Sequence, residues 1–313
     1  MKLLRILATA FAISFVLGFT WGKSAGVPWQ SGTRDSGSPL ASPPGPTSTV
    51  LGVASTTTDG RPVPVGGRIP TPENPLRVVM AGDSVMAGLS PPVKAAFESG
   101  TAGSVRFVLT PSIIRDATVR FTWEQQLAEF DPEVVVMFVG TWESHEVETG
   151  SGQAVTLGDP SWRANYEEQI LDPWVRLITS QGARVLWIGS PAAANPEANL
   201  VFAGLNAVFS SLPERFSEAA YLDASTALQG PDAGFSPVIP DSSGRLVRTR
   251  QVDGLHLCPD GARLLGGEVI ARIAADWNVP VGTGWDGPGA SWRADPQLYP
   301  EESCPEVPAV TAP

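Results

Sequence analysis

Two short segments of this 313-residue chain carry the residue types that nucleophilic catalysis needs. Gly82-Asp83-Ser84 follows an apolar run that ends at Ala81, and Asp253-Gly254-Leu255-His256 stands just before a helical pattern that begins near Asp260. A serine hydroxyl is a weak nucleophile and requires a base. Imidazole serves near neutral pH because its unperturbed pKa is about 6.5. The base must be held in one tautomer by an acceptor at its other nitrogen, and a carboxylate three residues earlier on a tight turn can reach that atom. The chain has two histidines, His145 and His256, so the base has only two candidates. Each segment alone also reads as the start of a helix, with Ser84 as an N-cap and His256 as incidental. Their joint occurrence favours the catalytic reading.

The elements that must position these residues follow from hydrophobic patterning. Short β-branched runs at 77–81, 105–109, 134–139, 185–188 and 220–222 read as strands. Longer patterns at 92–98, 123–130, 162–180, 199–209 and 260–275 read as helices. The run Val134-Val135-Val136-Met137-Phe138-Val139 is apolar throughout, as a strand buried on both faces must be. Strands alternating with helices at this spacing imply an α/β domain with a parallel sheet covered on both sides. In such a sheet, sites form beyond the carboxyl ends of the strands. Ser84 falls there, at a glycine-assisted turn into a helix whose free N–H groups favour developing negative charge.

A third segment, Gly140-Thr141-Trp142-Glu143, follows the strongest strand. With it, the chain resembles the SGNH/GDSL hydrolases. Gly82-Asp83-Ser84-Val85-Met86-Ala87-Gly88 is similar to their first motif block, Asp253-Gly254-Leu255-His256 to their last, and Gly140-Thr141-Trp142-Glu143 stands where they carry Gly-x-Asn-Asp. The similarity runs from about Leu76 to Val279. It implies a flavodoxin-like three-layer α/β/α fold on a five-stranded parallel sheet, with Ser84, Asp253 and His256 as the catalytic residues of an ester-directed acyl hydrolase or transferase. The third block also resembles the SGNH domains of bacterial cell-envelope proteins, some of them fused to membrane acyltransferases that O-acetylate polysaccharides. An O-acetylated polysaccharide is thus an expected substrate and a membrane acyltransferase an expected partner. The resemblance breaks at the oxyanion side. Trp142 replaces the asparagine donor, and the region Thr110-Pro111-Ser112-Ile113-Ile114-Arg115 offers no glycine. Gly140, Trp142 and Arg115 are the remaining candidates for that side of the cleft. Three readings stay open: an esterase or acyltransferase on an acylated glycan, a weakly active or inactive binding protein for such a glycan or an envelope partner, and a lipase or other ester hydrolase.

The N-terminus places Lys2 and Arg5 before an apolar run from Ile6 to about Trp21, so residues 1–25 read as a signal peptide or signal anchor. Residues 26–75, rich in Ser, Thr, Pro and Gly, bury too little apolar surface to fold and read as a disordered stalk. The hydrolase domain is expected over 76–280 and a surface-wrapping tail over 281–313. The chain would then be exported, either anchored with its domain outside or secreted, with membrane contact through the N-terminal segment alone. In that oxidising setting the two cysteines, Cys258 and Cys304, are expected to pair and pin the tail beside the catalytic loop, free thiols being the alternative. A net charge of −11 argues against nucleic acid as a partner. No metal or cofactor is expected. His145, in Glu143-Ser144-His145-Glu146, reads as an exposed loop histidine, or else as a substrate contact. Trp142 and Trp162 are candidate sugar-stacking faces.

Overall fold

A computed structural model describes residues 67–110, 117–230 and 234–307. The N-terminal segment, the stalk up to residue 66, Arg115 and the last six residues lie outside them, and so do the expectations placed there. The side chains of residues 117–122 and of Trp142 are likewise outside.

Five strands form the central sheet: β1 (Leu76–Gly82), β2 (Gly103–Leu109), β3 (Val134–Phe138), β4 (Arg184–Gly189) and β5 (Ala219–Asp223). They pair in the order β2-β1-β3-β4-β5, and every pairing is parallel. This is the doubly wound order in which the chain reverses direction across the sheet between β1 and β3. The loops leaving those two strands diverge and open a crevice at their carboxyl ends. Ser84 follows β1 and Gly140 follows β3, so both lie at that switch point.

Successive side chains of a strand point to opposite faces, and the sheet uses both. Val78 and Met80 of β1 and Val134, Val136 and Phe138 of β3 pack on one side with helices α1 (Ser84–Ser99) and α5 (Pro259–Trp277). Val79, Ala81, Val135 and Met137 face the other side. There they meet α2 (Ala117–Phe130), α3 (Trp162–Ser180) and α4 (Pro196–Phe209). The second core is aromatic. Trp174 makes edge contacts with Trp123 and Trp187 at 5.3 and 5.6 Å, and Trp187 stacks on Phe209 at 4.1 Å. Truncating any of these buried rings to alanine is worth roughly 3–5 kcal/mol.

The helix expected over 123–130 begins earlier, at Ala117. Two other helices depart from their expected form at prolines. The first helix, expected from Pro92, begins eight residues earlier at Ser84 and carries Pro91 and Pro92 inside it. The helix expected to run unbroken over 162–180 is α3, made of Trp162–Tyr166, a π turn Glu167–Leu171 and Asp172–Ser180. The π turn falls directly ahead of Pro173, which has no N–H to continue the regular ladder.

The tail does more than wrap the surface. Trp292 and Tyr299 are 9% and 6% exposed and belong to the core beneath α1 and α5. Cys258 and Cys304 form a disulfide with 5.7 Å between their Cα atoms. Among the described residues, no helix is long and apolar enough to cross a membrane.

Candidate active site

Gly82 ends β1 where a Cβ would lie 1.9 Å from the Phe138 carbonyl oxygen, so only glycine lets β1 run this close to β3 before turning. Asp83 then fixes the turn. Its Oδ1 accepts the Val85 N–H at 3.0 Å as the N-cap of α1, and its Oδ2 accepts the Gly140 N–H at 2.7 Å. One carboxylate therefore caps the helix that begins at Ser84 and ties it to the loop after β3. Burial raises the Asp83 carboxyl above the usual value, against the opposing pull of both N–H groups and of His256.

The Asp253–His256 segment is the tip of a hairpin. The chain on either side is joined by an isolated antiparallel bridge between Arg250 and Leu257 and by the Gln251 N–H on the His256 carbonyl at 2.9 Å. Gly254 sits at the turn with φ of +71°, a conformation that disfavours side chains, and a Cβ there would meet the Ala194 Cβ at 2.2 Å. Oδ1 of Asp253 accepts the N–H groups of Leu255 and His256 at 2.8 and 3.1 Å, which orients the carboxylate toward the ring.

The two motifs meet across the switch point. Asp253 Oδ2 lies 2.5 Å from His256 Nδ1, and His256 Nε2 lies 2.7 Å from Ser84 Oγ. An ionised carboxylate only accepts, so Nδ1 carries the proton and donates it, leaving Nε2 to accept from the Ser84 hydroxyl. Partial burial raises the Asp253 carboxyl, but its bond to the imidazole, the two N–H donors and the His256 charge outweigh this and hold it at about 2. Asp253 thus stays ionised far below neutral pH. Its contribution to stability is present above the ordinary aspartate value of about 3.9 and is lost as pH falls toward about 2. Asp253→Asn is expected to lower turnover of an ester substrate about 10³–10⁴-fold, because the amide presents the wrong hydrogen-bonding group to Nδ1. Steady-state kinetics beside the wild-type protein checks it, and a loss below tenfold would contradict the orienting role.

The other candidates fare differently. The Gly140 N–H is committed to Asp83, so Gly140 shapes the loop and is not an oxyanion donor. Trp142 occupies a single 3-10 turn, Thr141–Glu143, directly after it. Arg115 lies outside the described residues. The Ser84 N–H, at the first position of α1, has no acceptor within the helix. His145 is half-buried rather than exposed: its ring lies edge-on to Tyr166 at 6.3 Å, and its carbonyl accepts from Trp162 Nε1 at 3.0 Å. Trp162 is 1% exposed and stacked on Tyr166 at 4.7 Å, so it offers no face to a sugar. Glu143 is fully buried and accepts the Tyr166 hydroxyl at 2.6 Å.

Arg250 escaped the sequence reading. It is 1% exposed beneath the hairpin, and its Nη1 has no hydrogen-bond partner among the described residues. Burial lowers its value to about 10, with the attraction of Asp253 opposing. No alternating pattern marked it: Thr249 and Arg250 are consecutive and both buried, just past the strand Leu246–Arg248. Arg250 lines a cavity of about 10 Å³ together with Val85, Phe138, Gly140, Ser190 and Leu255.

A doubly wound parallel sheet with serine, histidine and aspartate joined at its switch point is the architecture that the SGNH/GDSL resemblance implies. The chain belongs to the family described as "protein of unknown function (DUF459)", whose model matches residues 77–272. Among solved structures it is similar to a GDSL-like lipase from Bacteroides thetaiotaomicron, with 14% identity over 63% of this chain and 87% of that one and a TM-score of 0.41. It is also similar to the C-terminal catalytic domain of a peptidoglycan O-acetyltransferase from Streptococcus pneumoniae, with 12% identity over 67% of this chain and 99% of that one and a TM-score of 0.39. No curated protein matches.

Proposed function

We propose that this protein is a serine-dependent acyl hydrolase or acyltransferase that removes a short acyl group from an ester, with an O-acetylated cell-envelope glycan as its substrate class. The observation that carries the reading is the continuous hydrogen-bonded line from Asp253 through His256 to Ser84 Oγ. Ser84 Oγ attacks the ester carbonyl while its proton passes to His256 Nε2. The tetrahedral oxyanion faces the Ser84 N–H. The ester C–O bond then breaks, and His256 returns the proton to the departing alcohol. Water or a second hydroxyl, deprotonated by the same Nε2, releases the acyl group from Ser84.

Two further observations support the finer reading. A cavity of about 10 Å³, with room for a single water-sized sphere, is lined by Val85 and Leu255, chain neighbours of Ser84 and His256. An acyl pocket of that size would take acetyl and not a long acyl chain, as an esterase requires. The Cys258–Cys304 disulfide favours an oxidising compartment, which agrees with an exported domain.

A panel of p-nitrophenyl esters tests the substrate class. The expected kcat/KM is highest for acetate and falls about tenfold or more by octanoate, with release of acetate from an O-acetylated glycan that chemical deacetylation abolishes. A rise in kcat/KM with chain length would overturn the acetyl reading in favour of a lipase. Absence of turnover on every ester would favour the binding protein.

A further inference from the structure

Proline cannot donate a helical hydrogen bond, so Pro91 and Pro92 leave the carbonyls four residues earlier, those of Ala87 and Gly88, without their in-helix donors. Both carbonyls belong to the turn of α1 that follows Ser84. Each has found a substitute. The Ala87 carbonyl accepts the Ser90 hydroxyl at 3.3 Å. The Gly88 carbonyl accepts the phenol of Tyr299 at 2.5 Å, in a buried bond that spans 211 residues of chain.

The segment that supplies this phenol also holds the base. The Leu298 carbonyl accepts Gln251 Nε2 at 2.9 Å, and the Ser303 carbonyl accepts the Val252 N–H at 2.9 Å. Cys304 is bonded to Cys258, two residues past His256. The tail segment 298–304 therefore touches the nucleophile helix on one side and the hairpin bearing Asp253 and His256 on the other. The 2.7 Å approach of Nε2 to Oγ depends on how those two elements sit, and this segment bonds to both.

We propose that Tyr299 is a positioning residue for Ser84: its hydroxyl stands in for the backbone N–H that Pro92 removed, and so sets the nucleophile helix against the catalytic hairpin. The proposal rests on the reading of Ser84 as nucleophile. It makes the tail a working part of the site and explains why a double proline is tolerated about two turns after the nucleophile. A helix with its own donors there would be fixed by its own ladder; this one takes its setting from the element that also fixes the base.

The test uses Tyr299→Phe, Pro92→Ala and the two combined, in the full chain. Tyr299→Phe keeps the ring against Trp292 and deletes only the hydroxyl. It is expected to lower kcat on p-nitrophenyl acetate about tenfold with KM within about twofold, and to speed amide hydrogen exchange in the peptide covering residues 84–90 by a similar factor. Pro92→Ala restores a donor to the Gly88 carbonyl. In that background Tyr299→Phe is expected to change kcat and exchange by no more than about twofold, a coupling that mere loss of packing would not produce. If Tyr299→Phe alone fails to fold, the double variant is expected to fold. The proposal is overturned if Tyr299→Phe leaves exchange at residues 84–90 unchanged, or if the double variant is as impaired as Tyr299→Phe. Should the wild-type protein turn over no ester, the proposed function fails, while the exchange arm still decides whether Tyr299 holds Gly88.

Discussion

Ser84→Ala is expected to lower ester turnover by about 10⁵-fold, to the level supported by binding alone, while leaving thermal unfolding within a few degrees of wild type. Oγ is the atom that forms the covalent bond, and its loss leaves His256 with no nucleophile to activate. His256→Ala is expected to cost about as much, because an unassisted hydroxyl is nearly inert at neutral pH. The informative comparison is the double variant. Groups that act as one unit are strongly non-additive, so Ser84→Ala with His256→Ala should be no slower than either alone. Steady-state kinetics on p-nitrophenyl acetate measures all three. Losses that multiply would mean that the two residues act in separate steps, contrary to the 2.7 Å bond between them.

The second large effect is on stability. Replacing Cys258 and Cys304 together by serine opens a loop of 46 residues. The chain-entropy model assigns such a loop about 4 kcal/mol. For a domain of this size each kcal/mol shifts the melting temperature by about 2–4 °C, so a fall of about 10 °C is expected. The loss should be larger than that of an ordinary surface bridge because the freed tail carries Trp292 and Tyr299 out of the core. Circular dichroism melts of the variant, and of the wild type with and without reductant, check it. A shift under about 2 °C would show that the tail is held by its buried aromatics alone.

The sheet was legible in the sequence because its three central strands are buried on both faces. An unbroken apolar run such as 134–139 fits a central parallel strand and little else, and its neighbours fell into register around it. The meeting of Ser84 and His256 was legible for a related reason: they stand at the ends of elements whose order places them together. Distances that depend on packing were hidden. Nothing local says that Trp162 lies flat on Tyr166, or that the Gly140 N–H is taken by Asp83. Pro92 reads naturally as a first helical residue, since proline is favoured there. That it lies inside a helix becomes intelligible only through Tyr299, which no local pattern links to Gly88. The oxyanion side was the least legible part, because a backbone N–H leaves no mark on residue type.

If Ser84 forms a covalent acyl-enzyme with His256 as its base, the protein itself must carry the acyl group for part of each turnover. The most direct measurement is the mass of the intact protein, followed by peptide mapping, after brief exposure to p-nitrophenyl acetate with acid quench or to a sulfonyl fluoride. The expected result is one adduct per chain, located on Ser84 and absent from both Ser84→Ala and His256→Ala. An adduct on another residue, or ester hydrolysis that proceeds undiminished in Ser84→Ala, would contradict it.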